Sequence, residues 1–144
     1  MSKKIRCGEC GSHQLEEREQ IGKPFPFKDY PAVILNRSFS ALECRACGNL
    51  VVNQKQVRDL DAAIEFTNKD DVVNFITTLL ARENTTIKEL GNTVGLSREY
   101  LSKLKAGETI PKFQTYNMLK VLFSDKNSFK LANPKYDGFR KDIA

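Results

Sequence analysis

The sequence predicts an α+β chain: a small, zinc-bound, β-rich N-terminal domain over residues 1–66 with a trailing helix, then an all-α domain over residues 67–144. Three observations predict it. Four cysteines fall in two CxxC pairs, Cys7-Gly8-Glu9-Cys10 and Cys44-Arg45-Ala46-Cys47. The segment between the pairs is rich in β-formers and punctuated by Gly22, Pro24, Pro26 and Pro31. After about Asn53 the apolar period changes to that of a helix.

The cysteines carry the N-terminal prediction. Two residues between partners let both thiolates of a pair reach one ion, with the turn amides aimed at the sulfurs. Gly11 and Gly48 follow each pair, where a positive φ costs glycine little. Two such knuckles complete a tetrahedral site with Zn–S near ~2.3 Å. The expected cofactor is one structural Zn²⁺ per chain, held by Cys7, Cys10, Cys44 and Cys47, with no position left for catalysis. Metal binding contributes on the order of 10 kcal/mol to folding in small zinc modules, which offsets a small core. Lys3, Lys4, Arg6 and Arg45 lie near enough in sequence to offset the centre's negative charge. Disulfides are the less expected use of clustered cysteines in a reducing compartment. His13, the single histidine, reads as a surface turn residue more readily than as a substitute ligand. CxxCG repeated also resembles rubredoxin, an iron electron carrier. Rubredoxins, however, are typically acidic and pack Trp around the iron, whereas this chain is basic and has none.

Strands are expected at Leu15–Ile21, Tyr30–Leu35 and Phe39–Leu42, with Leu50-Val51-Val52 as a last one, in a small antiparallel sheet. Val57, Leu60 and Ile64 mark the inward stripe of the trailing helix. Thr67-Asn68-Lys69-Asp70 then breaks the pattern. Asp70 or Asp71 caps the next helix, carrying Val72, Ile76, Leu79 and Leu80. Thr85 or Thr86 caps another, with Ile87, Leu90 and Val94 inward. Ser97 caps a third, with Leu101 and Leu104 inward. Pro111 starts a fourth with Phe113, Tyr116, Leu119, Leu122 and Phe123 on its stripe. The polar tail from Ser124 holds at most one more short helix, around Phe129.

The stretch Thr86–Gly107 has the proportions of a helix-turn-helix. Gly91 is small where a second helix must cross, Gly95 frees the turn, and Leu96 plugs the core. The outer face of the second helix then shows Arg98, Glu99, Ser102 and Lys103, with Tyr100 at one edge. These side chains suit hydrogen bonds to base edges and phosphates. Glu99 suits either a cytosine or an i, i+4 pair with Lys103.

Leu90-Gly91, Val94-Gly95-Leu96-Ser97, Leu101-Ser102-Lys103-Leu104, Gly107 and Pro111 resemble the Cro and phage-repressor, or XRE, type of helix-turn-helix over about residues 70–123. The resemblance implies that Arg98, Glu99 and Ser102 meet bases, Lys103 a base or phosphate, and Thr86 the DNA backbone. Ser97, Tyr100, Lys105 and Lys112 complete the candidate DNA-binding set. Ile87 departs from the family, which often has Gln there, and Lys105-Ala106 replaces its usual acidic-basic pair.

The two halves together are similar in order and size to the MqsA-like antitoxins, whose N-terminal half is a YgiT-type zinc finger. That resemblance implies a repressor that dimerises on palindromic double-stranded operator DNA and controls its own operon. It also implies a small basic ribonuclease toxin docked on the N-terminal domain, for which Phe25, Phe27 and Tyr30 are candidates if they do not form the core. A solitary or phage-encoded zinc-containing transcription regulator, without a toxin, shares the architecture.

Composition agrees with a polyanion partner without demanding one. The chain carries +5 net charge. Residues 1–68 hold 10 Lys/Arg against 9 Asp/Glu and residues 69–144 hold 13 against 9, so the excess lies in the C-terminal half. No apolar run approaches the roughly 18 residues of a membrane span. The N-terminus is basic but reaches Cys7 with no apolar core, unlike a secretory leader, so the cytoplasm is the expected compartment and no membrane partner is expected. One histidine, no P-loop, no dinucleotide fingerprint and no HExxH give no basis for an enzyme.

Overall fold

A computed structural model describes residues 5–142. The chain is mixed α+β, with strands in its first third and helices after it. It forms two compact units, Met1–Thr67 and Asn68–Ala144.

Unit 1 contains two antiparallel sheets where one was expected. β1 (Leu15–Glu19), β4 (Ser40–Cys44) and β5 (Leu50–Val51) form the first, in the order β1-β4-β5. Leu15 pairs with Cys44, and Glu43 with Leu50, so the central strand runs straight into the second cysteine pair. β2 (Pro24–Phe27) and β3 (Tyr30–Ile34) form a separate hairpin. Lys28 takes the left-handed φ of 52° in its two-residue loop. β2 is a strand despite two prolines. Pro24 sits at the strand's first position, and Pro26 falls where the register is irregular, between Phe25 and Phe27. Those are places where a missing N–H breaks no ladder.

Phe25, Tyr30, Val33, Leu35, Phe39 and Ala41 are buried, with Phe25 edge-on to Phe39 at 6.5 Å. Phe25 and Tyr30 are therefore core residues and not a docking surface. Phe27 is only half-buried, with Lys28 Nζ 5.2 Å from its ring centre.

Helix α1 spans Gln54–Arg82 without interruption. Asn53 starts it: its Oδ1 accepts from the Gln56 amide, and its own amide donates to Gln56 Oε1. The break expected at Thr67-Asn68-Lys69-Asp70 does not occur, and neither Asp70 nor Asp71 is a cap. Ala63, Ile64, Thr67, Asn68, Val72, Phe75, Ile76 and Leu79 are all buried, which makes one continuous stripe at helical spacing. The two polar members sit on it without ending it. Thr67 Oγ1 accepts from the Asn36 amide and donates to Asn36 Oδ1. Val57, expected inward, is 43% exposed, although it lies two turns before the buried Ile64 on the same face of the helix.

Unit 2 packs its helices around one apolar cluster. α2 (Ile87–Val94), α3 (Arg98–Lys105), α4 (Phe113–Ser124) and the short α5 (Ser128–Ala132) follow α1. A 3-10 turn follows at Gly138–Asp142. α4 begins two residues later than expected: Pro111 is buried, and Lys112 is the N-cap without a side-chain bond. Val72, Phe75, Ile76, Leu79, Leu90, Val94, Leu101, Leu104, Leu119 and Leu122 form the cluster, and Phe129 of α5 packs against it.

Arg82 ties α1 to α4. Its guanidinium donates to the carbonyls of Leu122 and Phe123 at 2.8 and 2.9 Å and to Glu83 at 3.0 Å. It thereby satisfies two carbonyls near the C-terminal end of α4 that the helix itself leaves unpaired. Arg82→Ala should lower the stability of unit 2 by about 2 kcal/mol. Arg82→Lys should not restore it, because an ammonium lacks the planar fork that reaches both carbonyls. Urea denaturation followed by circular dichroism measures both.

Candidate metal centre and candidate nucleic-acid interface

The four cysteine sulfurs all lie within 4.8 Å of one another. Cys7 approaches Cys47, and Cys10 approaches Cys44, to 3.5 Å across the two knuckles. A tetrahedron of Zn–S bonds near ~2.3 Å has edges of roughly 3.8 Å, so the cluster has the size of a four-thiolate metal site. No disulfide forms. Cys7 and Cys44 are buried, whereas Cys10 and Cys47 are exposed.

The backbone repeats itself around a local two-fold. The Cys7 amide donates to the Ser12 carbonyl at 2.9 Å, and the Cys44 amide to the Asn49 carbonyl at 2.9 Å. The Gly11 amide donates to the Cys7 carbonyl and the Gly48 amide to the Cys44 carbonyl. Gly11 and Gly48 close these turns at φ values of 72° and 79°. Sulfur contacts repeat in the same way. Cys7 accepts from the amides of Cys10 and Glu9, and Cys44 from those of Cys47 and Ala46. Cys10 accepts from the Ser12 amide and Cys47 from the Asn49 amide.

These donors set the protonation of the centre. The Cys10 and Glu9 amides hold the Cys7 thiol down to about 6. The Cys47 amide likewise lowers Cys44. The Asn49 amide pulls on Cys47, but its bond with Cys7, together with burial and the other thiols, outweighs that pull and pushes Cys47 up to about 12. Cys10 also goes up: the Ser12 amide is outweighed by the Cys44 thiol and burial. At neutral pH Cys7 is poised as a thiolate, whereas Cys10 and Cys47 hold protons that a metal would displace.

Charge near the centre is organised differently from expectation. Arg6 Nε donates to His13 Nε2 at 3.1 Å, and His13 is exposed and outside the sulfur group. Arg45 faces Glu16 at 3.6 Å. Lys3 and Lys4 lie outside the described residues.

The second candidate site is built by α2 and α3. Thr86 caps α2 through a reciprocal box: its Oγ1 accepts from the Glu89 amide, and its amide donates to the Glu89 carboxylate. The Thr85 hydroxyl and the Thr86 amide hold Glu89 below the usual carboxylate range. α2 ends at Gly95, left-handed at φ 74°. Ser97 caps α3, its Oγ accepting from the Tyr100 amide at 3.1 Å.

The two helices meet at Gly91. A Cβ there would stand 2.6 Å from the Leu96 carbonyl oxygen and 3.4 Å from Leu101 Cδ1. That contact rolls α3 so that Leu101 and Leu104 are buried. Arg98, Glu99, Ser102, Lys103 and Lys105 are consequently exposed. Arg98, Ser102 and Lys105 share one stripe at i, i+4 and i+7, and Glu99 and Lys103 lie beside it. Glu99 forms no ion pair with Lys103 among the described residues. Tyr100 is half-buried and packs against the apolar cluster. Ser97, Thr86 and Lys112 are exposed at the starts of α3, α2 and α4.

No protein-family model and no curated protein matches the chain. Among the described residues, no helix is long and apolar enough to cross a membrane. Sequence reasoning passed over Asn49 and Arg82. Both were discoverable, Asn49 by its place directly behind a knuckle glycine and Arg82 by its place in the last turn of α1.

Two measurements follow from this geometry. Gly91→Ala should destabilise unit 2 by about 1–3 kcal/mol, since the atom in the way is backbone and cannot swing aside; thermal unfolding reports it. Loading the metal-free protein with Zn²⁺ at neutral pH should release at least two protons, those of Cys10 and Cys47, and affinity should fall as pH drops through 6, when Cys7 also protonates. Calorimetry in buffers of different ionisation enthalpy counts the protons.

Proposed function

We propose that the chain is a sequence-specific DNA-binding repressor, with α2 and α3 acting as a helix-turn-helix and the N-terminal unit held by one structural zinc. The observation that carries this reading is the crossing at Gly91. It presents five polar or charged side chains of α3 to solvent on one side while the apolar side of the same helix is sealed in the core. A helix of that kind fits the major groove. Arg98 is suited to guanine, Ser102 to either class of base, and Lys103, Lys105 and Lys112 to phosphates. The capped N-terminus of α2, with Thr86, suits a phosphate as well.

Zinc is the metal that best suits the N-terminal site. Four thiolates close its coordination, so the ion would hold the fold and perform no catalysis. Zinc analysis giving one ion per colourless chain supports this reading; a red protein containing iron would replace it with electron transfer.

One protomer reads about one half-site, so a homodimer on a palindromic operator is the working form. Autoregulation and the docking of a small basic ribonuclease by the N-terminal unit extend the proposal through the resemblance to MqsA-like antitoxins. With Phe25 and Tyr30 buried, that docking has to use other residues. Copurification with the product of a neighbouring gene tests it, and a solitary regulator would show no such partner.

The direct test is fluorescence anisotropy with DNA from the protein's own upstream region. Wild type should bind, with affinity falling steeply with salt. Arg98→Ala should weaken binding by about 1–3 kcal/mol and relax preference at one base position. Equal binding of the two proteins to operator and to unrelated DNA would remove Arg98 as a reader.

A further inference from the structure

The local two-fold of the metal centre is broken at one side chain. Ser12 and Asn49 occupy equivalent positions, two residues beyond Cys10 and Cys47. Each accepts the amide of the first cysteine of its own knuckle through its carbonyl. Each donates its own amide to the second cysteine's sulfur. Beyond the backbone they differ. Ser12 Oγ turns back to accept from the Gln14 amide at 3.1 Å. Asn49 Nδ2 instead crosses to the other knuckle and donates to Cys7 Sγ at 3.8 Å.

We propose that Asn49 is a positioning residue of the metal centre, whose side-chain amide tunes Cys7 as a ligand and couples the second knuckle to the first. This inference rests on the four-thiolate metal reading. The chemistry is that of a partly buried N–H donor facing a sulfur which already accepts two backbone amides. A four-thiolate site around a divalent ion is anionic by two charges, and each N–H···S contact draws some of that charge off the sulfur. Cys7 is buried, so water supplies little of this relief. A third donor therefore favours the metal-bound thiolate, lowers its reactivity toward electrophiles, and restrains its direction. Asn49 spans both halves of the site: its backbone serves Cys44 and Cys47, and its side chain serves Cys7. Losing the amide would loosen one knuckle against the other without removing any ligand.

The test uses the full chain loaded with Co²⁺, whose sulfur-to-metal charge-transfer band reports the electron density on the thiolates, together with Zn²⁺ affinity measured by chelator competition. Asn49→Ala should move the band to lower energy and weaken zinc about 10-fold. Asn49→Asp, similar in shape but anionic, should weaken it further. Asn49→Gln keeps an amide donor and should lie between Asn49→Ala and wild type in both readouts. A site in which Asn49 merely fills space would give Asn49→Asp a wild-type spectrum and affinity, and that result would overturn the proposal. So would Asn49→Gln falling no closer to wild type than Asn49→Ala. Wild-type protein that takes up neither Co²⁺ nor Zn²⁺ would overturn it together with the metal reading, whereas loaded wild type with unchanged variants would overturn this inference alone.

Discussion

At Gly91 the backbone of α2 and the Leu96 carbonyl pass so closely that no β-carbon fits between them. The arrangement of α2 and α3 depends on that contact. It lets the turn through Gly95 bring α3 back across α2, and it sets the roll of α3 about its own axis. Leu101 and Leu104 enter the core as a consequence, and the row from Arg98 to Lys105 is left to water. The charged face is thus a product of packing. A looser crossing would rotate α3, and the same residues would no longer form a single readable edge. Caps at Thr86 and Ser97 keep both helix starts ordered where backbone N–H groups would otherwise lack partners.

Unit 1 solves a different problem. Its buried apolar side chains are few, and its strands are short enough that two small sheets would be marginal alone. The cysteines compensate because the pair at Cys44 and Cys47 grows directly out of the central strand β4. An ion held between them and Cys7 and Cys10 would also join both ends of the unit's β-rich segment. With two residues between partners, the amides of Glu9 and Cys10 reach the Cys7 sulfur and those of Ala46 and Cys47 reach the Cys44 sulfur.

Most of unit 2 is legible in the sequence because its decisive residues have unusual chemistry. Gly91, Gly95, Thr86 and Ser97 each announce a close approach, a left-handed turn or a cap. The long helix α1 is not legible, because Thr67 and Asn68 look like a linker. Both lie on the buried stripe, where one is bonded to Asn36 and the other has no side-chain hydrogen-bond partner among the described residues, so polarity there marks a cost of burial and not a chain break. β2 hides behind Pro24 and Pro26, since edge position and irregular register cannot be read from composition. The four cysteines are plain in the sequence, yet the asymmetry between Ser12 and Asn49 needs coordinates, because both are small polar residues at the same spacing.

The central claim is that α3 lies in the major groove of duplex DNA. Guanine N7 methylation interference addresses it most directly, since that atom is exposed only in the major groove. The account predicts lost binding when guanines are methylated in two patches about one helical turn apart on the chain's own upstream DNA. Binding that is indifferent to N7 methylation would contradict it.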